Sequence, residues 1–199
     1  MADSERHSVT ESRSQKRARL AEVLARRRAR LAEALARRRV PLGFVTAIVT
    51  AFLASPTWGS WRVGLLVAVI GEVIRVWAAG HLEKSKEVTR SGPYRWTAHP
   101  LYVGSSVMAL GIVIAAHSVV AGVLAAGYMI STLTAAVKTE EAFLRGRFGG
   151  AYDEYRRSEG ADVDRRFSLA RAWRNKEYRA IVGLLIGFAF LALRVSTPI

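Results

Sequence analysis

Residues 96–137 read WTAHPLYVGSSVMALGIVIAAHSVVAGVLAAGYMISTLTAAV, 42 consecutive positions without Asp, Glu, Lys or Arg. A single helix of that length would be about twice the hydrocarbon thickness of a bilayer, because one crossing needs roughly 20 residues. The stretch therefore predicts a hairpin of two membrane-spanning helices, with its turn at His117 and Ser118. Both open ends of such a hairpin lie at the same face of the membrane.

Three further apolar runs accompany the hairpin. Val40 to Trp61 holds 22 residues without charge, enough for one crossing, and Val63 to Leu82 is similar apart from Glu72 and Arg75. Ala180 to Leu193 has only 14 residues, which is short for a span and also fits a tilted or interfacial segment. Together with 51% hydrophobic residues, these runs predict an all-α integral membrane protein of about five transmembrane helices.

The basic residues cluster between the apolar runs. Three blocks, 1–40, 81–99 and 138–179, hold 27 of the 30 Lys and Arg residues. If all the runs cross, these blocks share one side of the membrane, and the links Ser55 to Trp61 and Ala116 to Val119 and the tail from Arg194 to Ile199 lie on the other side. The positive-inside rule then places the basic blocks and the N-terminus in the cytoplasm. No cleavable signal peptide is expected, because a long polar segment precedes the first apolar run. The predicted location is the cytoplasmic (inner) membrane, crossed several times.

Residues 1–39 are predicted to form a basic N-terminal arm, separate from a membrane domain at 40–199. In the arm, ARLAEVLARRR at 18–28 is followed by ARLAEALARRR at 29–39, an 11-residue repeat. The repeat places four leucines on one face of an amphipathic helix: Leu20, Leu24, Leu31 and Leu35. We expect this helix to lie on anionic cytoplasmic lipid; the alternative is a solvated, partly disordered arm, and Met1 to Gln15 is expected to be disordered. Nucleic acid is not an expected partner, because no aromatic residue interleaves the arginines.

Polar residues gather at both ends of the predicted hairpin. Pro100 fits the first turn of a helix, so His99 is expected at or just before the start of the third span. The free N–H groups of that turn suit a carboxylate or a phosphate. Glu140 and Glu141 follow the fourth span, and the hairpin returns them beside His99.

Each of these residues also has a purely structural interpretation. His99 can be a capping residue, and Glu141 can pair with Arg145 one turn later on a solvated face. Tyr152 and Tyr155 can be interfacial anchors. The order and spacing of the whole set decide between the interpretations.

Three segments carry a resemblance to a known family: GPYR at 92–95, HPLYVG at 99–104 and EEAFLRGRFGGAYDEY at 140–155. With these segments in this order, residues from about 63 to 157 resemble the group of isoprenylcysteine carboxyl methyltransferases and phospholipid methyltransferases. The resemblance implies a membrane enzyme that binds S-adenosylmethionine at the cytoplasmic ends of the hairpin and methylates a lipophilic acceptor from the bilayer. No Gly-x-Gly occurs in the chain, so a soluble Rossmann-type methyltransferase is not expected.

The same resemblance, carried over by position, implies a set of cofactor contacts: Lys86, Glu87, Val88, Thr89, Tyr94, His99, Pro100, Leu101, Tyr102 and Glu140. Gly104 is expected to allow close packing near the cofactor. Glu141 is the candidate catalytic residue, because its carboxylate can take a proton if the acceptor is an amine. A sulfonium methyl is already activated, so the protein mainly has to align donor and acceptor and exclude water. No metal site is predicted, and the absence of cysteine excludes thiolate nucleophiles.

Three departures from the family pattern bear on the acceptor. Ala98 stands where the family usually has an arginine before His-Pro. Ala136 stands where prenylcysteine enzymes carry an arginine tied to the substrate carboxylate, and Lys138 is the nearest cation. The usual Val-Pro-Arg ending after the tyrosines is also absent. These departures favour a phospholipid amine over a prenylcysteine carboxylate, which stays as an alternative.

Two other functions stay open. One is a membrane reductase with a nicotinamide cofactor, since sterol reductases share a similar hairpin; the other is a non-catalytic lipid-binding scaffold built around the basic arm. Within the second span, Glu72 and Arg75 are expected to pair or to face the bundle interior, as pocket lining or as a buried ion pair. Gly183 and Gly187 form a GxxxG step that suits packing against another helix or a second copy of the chain.

Overall fold

The computed structural model describes residues 40–84, 86–157 and 165–197, with further helical positions upstream at 19–20, 22–24, 26–27, 30, 34 and 38. Within these ranges the regular structure is entirely helical, without strands. The elements are α1 (Val40–Leu53), α2 (Trp58–His81), a 3-10 helix (Gly92–Arg95), α3 (Pro100–Ala116), α4 (Val119–Phe148), α5 (Gly150–Arg156), α6 (Leu169–Arg174) and α7 (Tyr178–Ser196).

Length and composition of the helices fit a membrane protein. Among the described helices, α2, α4 and α7 are long and apolar enough to cross a bilayer, and α1 and α3 are shorter apolar helices. Many large apolar side chains face outward, including Phe52 at 77% and Val119 at 84% exposure. A surface of this kind matches lipid tails better than water. The prediction of an all-α integral membrane protein is confirmed, and the five apolar helices occur where apolar runs were found.

The N-terminal arm is described only at scattered positions. Leu20 and Leu24 are helical and exposed. Leu31, Leu35 and the segment Met1 to Gln15 lie outside the described residues. The amphipathic face, its lipid contact and the boundary at residue 39 therefore stay predictions.

The first apolar run contains one helix and the start of the next. α1 ends at Leu53, just before the predicted link from Ser55 to Trp61, whereas α2 begins at Trp58, inside that link and earlier than predicted. The break between them contains Pro56, whose ring cannot continue a helix, and Thr57, whose side chain caps α2. Absence of charge thus predicts which residues lie within the membrane, whereas proline and helix-capping residues decide where one helix ends and the next begins.

The hairpin turns at His117 and Ser118, as predicted. His117 ends α3 in the left-handed conformation, with a φ of 49°. The Ser118 side chain accepts a hydrogen bond of 3.4 Å from the Ala121 amide and so begins α4. The turn returns the far end of α4 to the beginning of α3.

α2 packs closely on α3 along a line of glycines. A methyl group added at Gly71 would collide with the backbone of Met108, and one added at Gly111 would collide with the backbone of Ala68. Small residues at these positions let the two helix backbones approach each other. This tight pair fixes the position of α3, and with it that of His99.

The last apolar segment forms the 19-residue helix α7, which is longer than the run from Ala180 to Leu193. The indole of Trp61 donates a hydrogen bond of 2.9 Å to the carbonyl of Phe188. Arg194 donates one of 2.7 Å to the carbonyl of Ala51 at the end of α1. α7 is therefore docked against both α2 and α1.

The predicted GxxxG step lies on the outer face of α7. No described atom outside its own turn of helix lies within 4 Å of a Cβ built at Gly183 or Gly187. Within the described chain this step packs against no other helix, so the first of its two predicted partners is not found. A second copy of the chain as partner, and with it a homo-oligomer, stays a prediction.

Candidate active site

His99 lies between two carboxylates from the other end of the hairpin. Its Nδ1 atom is 3.6 Å from Glu140 Oε2, and its Nε2 atom is 3.6 Å from Glu141 Oε1. His99 directly precedes α3, whereas both glutamates lie near the end of α4. The two ends of the hairpin meet at this point, as predicted from the sequence.

The His99 ring is held by its own helix. Tyr102 stacks on it, with ring centroids 5.5 Å apart and 23° between the planes. Pro100 is fully buried at the first position of α3, where its fixed φ suits helix entry. The Tyr102 side chain also interacts with Glu140. The imidazole is therefore oriented both by the helix that it precedes and by the helix that it faces.

Two polar atoms at this site are buried without a hydrogen-bond partner among the described residues. They are His99 Nε2 and the phenol oxygen of Tyr152 on α5. Burial raises the pKa of Tyr152, and the Glu141 carboxylate raises it further, so the phenol keeps its proton as a donor. Buried polar groups normally find a partner. These two atoms are therefore candidate partners for a polar ligand.

Glu141 has a cationic neighbour on α5 in addition to the His99 ring. Arg156 Nη1 lies 3.7 Å from Glu141 Oε1, and the Glu141 side chain is 20% exposed. Arg145, the alternative partner considered from the sequence, pairs instead with Asp153 at 3.4 Å. Glu141 thus faces the site between the hairpin and α5.

The strap, residues 86–98 between α2 and α3, is held against α5. The phenol of Tyr155 donates hydrogen bonds to the carbonyls of Tyr94, at 2.7 Å, and Thr97, at 3.3 Å. Burial raises the pKa of Tyr155 to about 12, and neighbouring Tyr152 adds to the shift. Tyr152 is buried and Tyr155 holds the strap, so both α5 tyrosines have contacts within the protein, and a role as interfacial anchors stays a prediction.

Tyr94 lies between the hairpin site and a second group of charges. Its side chain is 7% exposed. Burial raises the pKa of Tyr94, and the carboxylates of Glu140 and Glu177 both add to the shift. The phenol therefore stays protonated within electrostatic reach of both glutamates.

The second group of charges, which we call the ionic cluster, consists of Glu72, Arg75 and Glu177. Arg75 Nη2 lies 2.9 Å and 3.1 Å from the two carboxylate oxygens of Glu177, and Arg75 Nε lies 3.6 Å from Glu72 Oε2. Arg75 Nη1 also donates to Ser105 on α3. The predicted pairing of Glu72 and Arg75 is confirmed. Sequence reasoning missed Glu177, 102 positions from Arg75, although a lone acid directly before an apolar run is itself a signal.

The first half of the strap is tied to residues outside the hairpin. Lys86 Nζ lies 3.5 Å from Glu83 Oε2, and Arg165 Nη2 lies 2.6 Å from Glu87 Oε1. Among the described residues, no hydrogen bond or ion pair joins this half to His99. The cofactor role implied for it stays a prediction for four residues: Lys86, Glu87, Val88 and Thr89.

Helix α6 and the residue after it cap the carbonyl end of α2. The Asn175 amide donates hydrogen bonds to the carbonyls of Ala79, at 2.9 Å, and Leu82, at 3.0 Å. Arg171 Nε lies 2.9 Å from Glu83 Oε1, and this hydrogen bond holds the pKa of Glu83 below its ordinary value. The residues that lead from α2 into the strap are therefore anchored by the C-terminal segment.

Gly104 is closely packed, as predicted. A methyl group there would lie 2.7 Å from the Arg75 side chain and 2.7 Å from the Gly71 carbonyl. The packing partner is α2, and the position of Gly104 near a cofactor stays a prediction. The half-buried Leu101 shows no contact that tests its implied role. Cofactor contact stays a prediction for the others: Tyr94, His99, Pro100, Leu101, Tyr102 and Glu140.

These features define a class: an all-α membrane protein with a polar site at the open end of a helical hairpin. Residues 57–151 match the family model described as phospholipid methyltransferase. Two proteins named probable protein-S-isoprenylcysteine O-methyltransferase, from Oryza sativa subsp. indica and subsp. japonica, are each 32% identical over 110 residues. These matches confirm the resemblance seen in the motifs: the matched part of the chain is similar to this family of membrane methyltransferases.

The comparisons cover part of each protein. The alignment with the rice proteins takes in 49% of this chain, and the chain spans 58% of the length of these relatives. No solved structure is significantly similar to the chain. The matched residues include the hairpin and its two glutamates, whereas α6 and α7 lie outside the family match.

Proposed function

We propose that the chain is an integral membrane methyltransferase that transfers a methyl group from S-adenosylmethionine to a lipophilic acceptor, with a phospholipid amine as the leading class. The observation that carries the proposal is His99 held between Glu140 and Glu141 at the open end of the hairpin. The family match supports the reaction class. The basic blocks support a cytoplasmic-membrane location with the N-terminus in the cytoplasm.

The residues at the site fit this cofactor. Glu140 and Glu141 supply two carboxylates to attract a sulfonium cation. His99 Nε2 and the Tyr152 phenol are buried polar atoms that lack partners within the described chain, and both can bind the polar parts of the cofactor. The N–H groups at the start of α3 suit its carboxylate. When bound, S-adenosylmethionine supplies a methyl group that is already activated for transfer.

The protein's own part in the reaction is positioning and proton acceptance. Positioning of this kind can supply roughly 7–11 kcal/mol. Tyr102 fixes the imidazole and Tyr155 fixes the strap, so the walls of the site are set before the acceptor arrives. Glu141 takes the proton that an ammonium acceptor must lose before its nitrogen can attack. The nitrogen forms its bond to the methyl carbon as the carbon–sulfur bond breaks, and sulfur keeps the electron pair.

The methyl donor can be tested without knowing the acceptor. Purified protein in mild detergent is titrated calorimetrically with S-adenosylhomocysteine and, separately, with NADPH. We expect S-adenosylhomocysteine alone to bind, whereas binding of NADPH alone would assign the chain to the reductase class. The scaffold alternative makes a different prediction: activity survives in Glu140→Ala and His99→Ala but is lost when residues 1–39 are deleted.

A second candidate acceptor is a prenylcysteine carboxylate, because the rice relatives are named for that substrate. Such an acceptor needs a cation and no base, and this chain has Ala136 at the position of the substrate arginine. Tritiated S-adenosylmethionine is offered with phosphatidylethanolamine vesicles and with N-acetyl-S-farnesylcysteine. We expect label in the phospholipid and not in the farnesylcysteine, and the reverse result would assign carboxyl methylation.

A further inference from the structure

The segment 165–179, which contains α6 and leads into α7, divides its basic residues between the inside and the outside of the protein. It holds six basic residues and one acid. Arg165 pairs with Glu87 at 2.6 Å, and Arg171 pairs with Glu83 at 2.9 Å. The one acid belongs to the ionic cluster. The segment therefore has no acid of its own to offset its other four cations.

These four cations face outward, and all of them are exposed: Arg166, Arg174, Lys176 and Arg179. Arg174 Nη2 lies 3.3 Å from Glu83 Oε1, an oxygen that Arg171 already binds. Within the described part of the chain, the other three side chains form no ion pair. The outer side of the segment therefore carries a concentrated positive charge that the protein itself does not neutralise.

The same segment also presents an apolar face. Leu169 and Trp173 lie one turn apart on α6 and are 67% and 65% exposed, whereas Ala172, on the side towards the protein, is buried. Phe167, just before α6, is 47% exposed. Exposed apolar side chains beside unpaired cations are the pattern of a helix that lies along a membrane surface.

The neighbours of α6 place it at the boundary between membrane and water. The Asn175 side chain, directly after α6, donates hydrogen bonds to carbonyls at the end of α2. α7, which is long and apolar enough to cross a bilayer, begins at Tyr178. Trp77 and Trp96 lie at the same end of α2 with ring centroids 5.5 Å apart, and tryptophan is enriched at the level of the lipid head groups. α6 therefore lies at the level of these head groups.

We propose that the outer surface of this segment binds anionic phospholipids. Leu169 and Trp173 lie at the boundary between head groups and acyl chains, and the four outward cations lie among the lipid phosphates. A zwitterionic lipid offers the same apolar contact without a net charge, so the unpaired cations select the anionic lipid. The proposal is independent of the methyltransferase proposal, and α6 lies outside the residues that match the family.

Quenching of Trp173 fluorescence by brominated lipids tests the proposal. Full-length protein is placed in phosphatidylcholine nanodiscs that contain brominated phosphatidylglycerol or, at the same mole fraction, brominated phosphatidylcholine. Subtracting the signal of Trp173→Phe isolates Trp173 from the other tryptophans. We expect both lipids to quench Trp173, with phosphatidylglycerol enriched about fivefold around it, the effect of a single Lys or Arg close to an anionic lipid.

A charge variant separates this surface from the rest of the protein. Lys176→Gln combined with Arg179→Gln removes two cations that form no ion pair within the described chain, and we expect the enrichment to fall below about twofold. Arg145→Gln combined with Arg147→Gln, at exposed positions in the last turn of α4, is the matched control and should keep the enrichment. Thermal unfolding shows that each variant is folded, and Arg166→Gln supplies an independent test with a smaller expected loss.

Three results would overturn the proposal. Absence of quenching by either lipid would show that the apolar face of α6 does not contact the membrane. Equal quenching by the two lipids would show that the surface does not select negative charge. Enrichment that persists in the Lys176→Gln and Arg179→Gln variant and in Arg166→Gln, or that is lost equally in the α4 control, would assign the attraction to cations elsewhere in the chain.

Discussion

Tyr155 on α5 donates a hydrogen bond of 2.7 Å from its phenol to the backbone carbonyl of Tyr94, 61 residues earlier in the chain. The same phenol also reaches the carbonyl of Thr97. The strap between α2 and α3 therefore takes its shape partly from a helix that follows the hairpin. The approach to His99 depends on both segments.

Replacing Tyr155 with phenylalanine removes these hydrogen bonds and keeps the ring. We expect Tyr155→Phe to lose about 1 kcal/mol of stability, the usual net value of one such hydrogen bond, and to bind S-adenosylhomocysteine about fivefold more weakly through a looser strap. Thermal unfolding in detergent and calorimetry measure the two effects. Tyr178→Phe is the control, since its ring packs on Trp173 away from the strap. Wild-type affinity in Tyr155→Phe would show that the strap does not shape the donor site.

Because of Tyr155, the free energy of unfolding should depend on pH in the alkaline range. Burial raises the pKa of Tyr155 to about 12, above the ordinary value of 10.0 that the unfolded chain has. Between these values the unfolded phenol ionises while the folded phenol keeps its proton, so its stabilising contribution is complete below about pH 10 and declines as the pH rises towards 12. Unfolding titrations should show a stability difference between wild type and Tyr155→Phe that shrinks over this interval. A difference independent of pH would contradict the burial of this phenol.

Substitutions of the two glutamates beside His99 should have different effects on kcat and on the affinity for S-adenosylhomocysteine. Glu141→Gln is expected to lower kcat for an amine acceptor about 100-fold, because general-base catalysis is lost, with little change in S-adenosylhomocysteine affinity. Glu140→Gln is expected to weaken that affinity about tenfold, because a charged partner is lost. Initial rates and calorimetry measure these quantities, with Asp153→Asn as an exposed control on α5. Equal losses of affinity in both variants would refute the division of roles.

The ion pair between Arg75 and Glu177 should stabilise the packing of α7. Glu177→Gln leaves a buried guanidinium with Glu72 as its remaining charged partner, and we expect a loss of about 1–3 kcal/mol in the free energy of unfolding. Denaturation in mixed micelles measures the loss. Asp153→Asn disrupts the exposed pair with Arg145 and should cost less than about 1 kcal/mol. A smaller effect for Glu177→Gln than for this control would contradict the structural role of the buried pair.

The lipid role of the basic arm can be tested with residues 16–39 as a peptide. We expect it to bind anionic vesicles at low salt, with each Lys or Arg near the surface contributing about 1 kcal/mol, and to be released as salt rises. Co-sedimentation measures the bound fraction, and zwitterionic vesicles are the control. Absence of binding to anionic vesicles at low salt would exclude this role.

The hairpin and its site were predictable because the length of the charge-free run and the position of its turn can both be read from one continuous stretch of sequence. A charge-free run longer than one crossing must fold back, and a fold back at His117 brings residues near 99 and 140 together. The start of α2 was placed too late because charge alone was counted, although Pro56 and the capping residue Thr57 marked it. Proline and a capping threonine outweigh hydropathy where a helix begins or ends.

The contacts of the ionic cluster and of the strap could not be predicted from the sequence, and the reason is physical. Arg75 meets Glu177, and Tyr155 meets Tyr94, through packing of helices that are distant in sequence. A short-range pattern carries no information on which remote helix supplies the partner of a buried charge. Gly104 shows the same difficulty, since a glycine beside a functional motif serves helix packing here.

The capping of α2 by Asn175 and Arg171 has a consequence for biosynthesis. The ribosome releases the hairpin well before it releases these two side chains, so the nascent chain reaches the bilayer with the carbonyl end of α2 still bare. The residues that lead from α2 into the strap then gain this anchor only after Arg171 and Asn175 have been synthesised. Such an order postpones the last contacts around the strap until after the hairpin has been made.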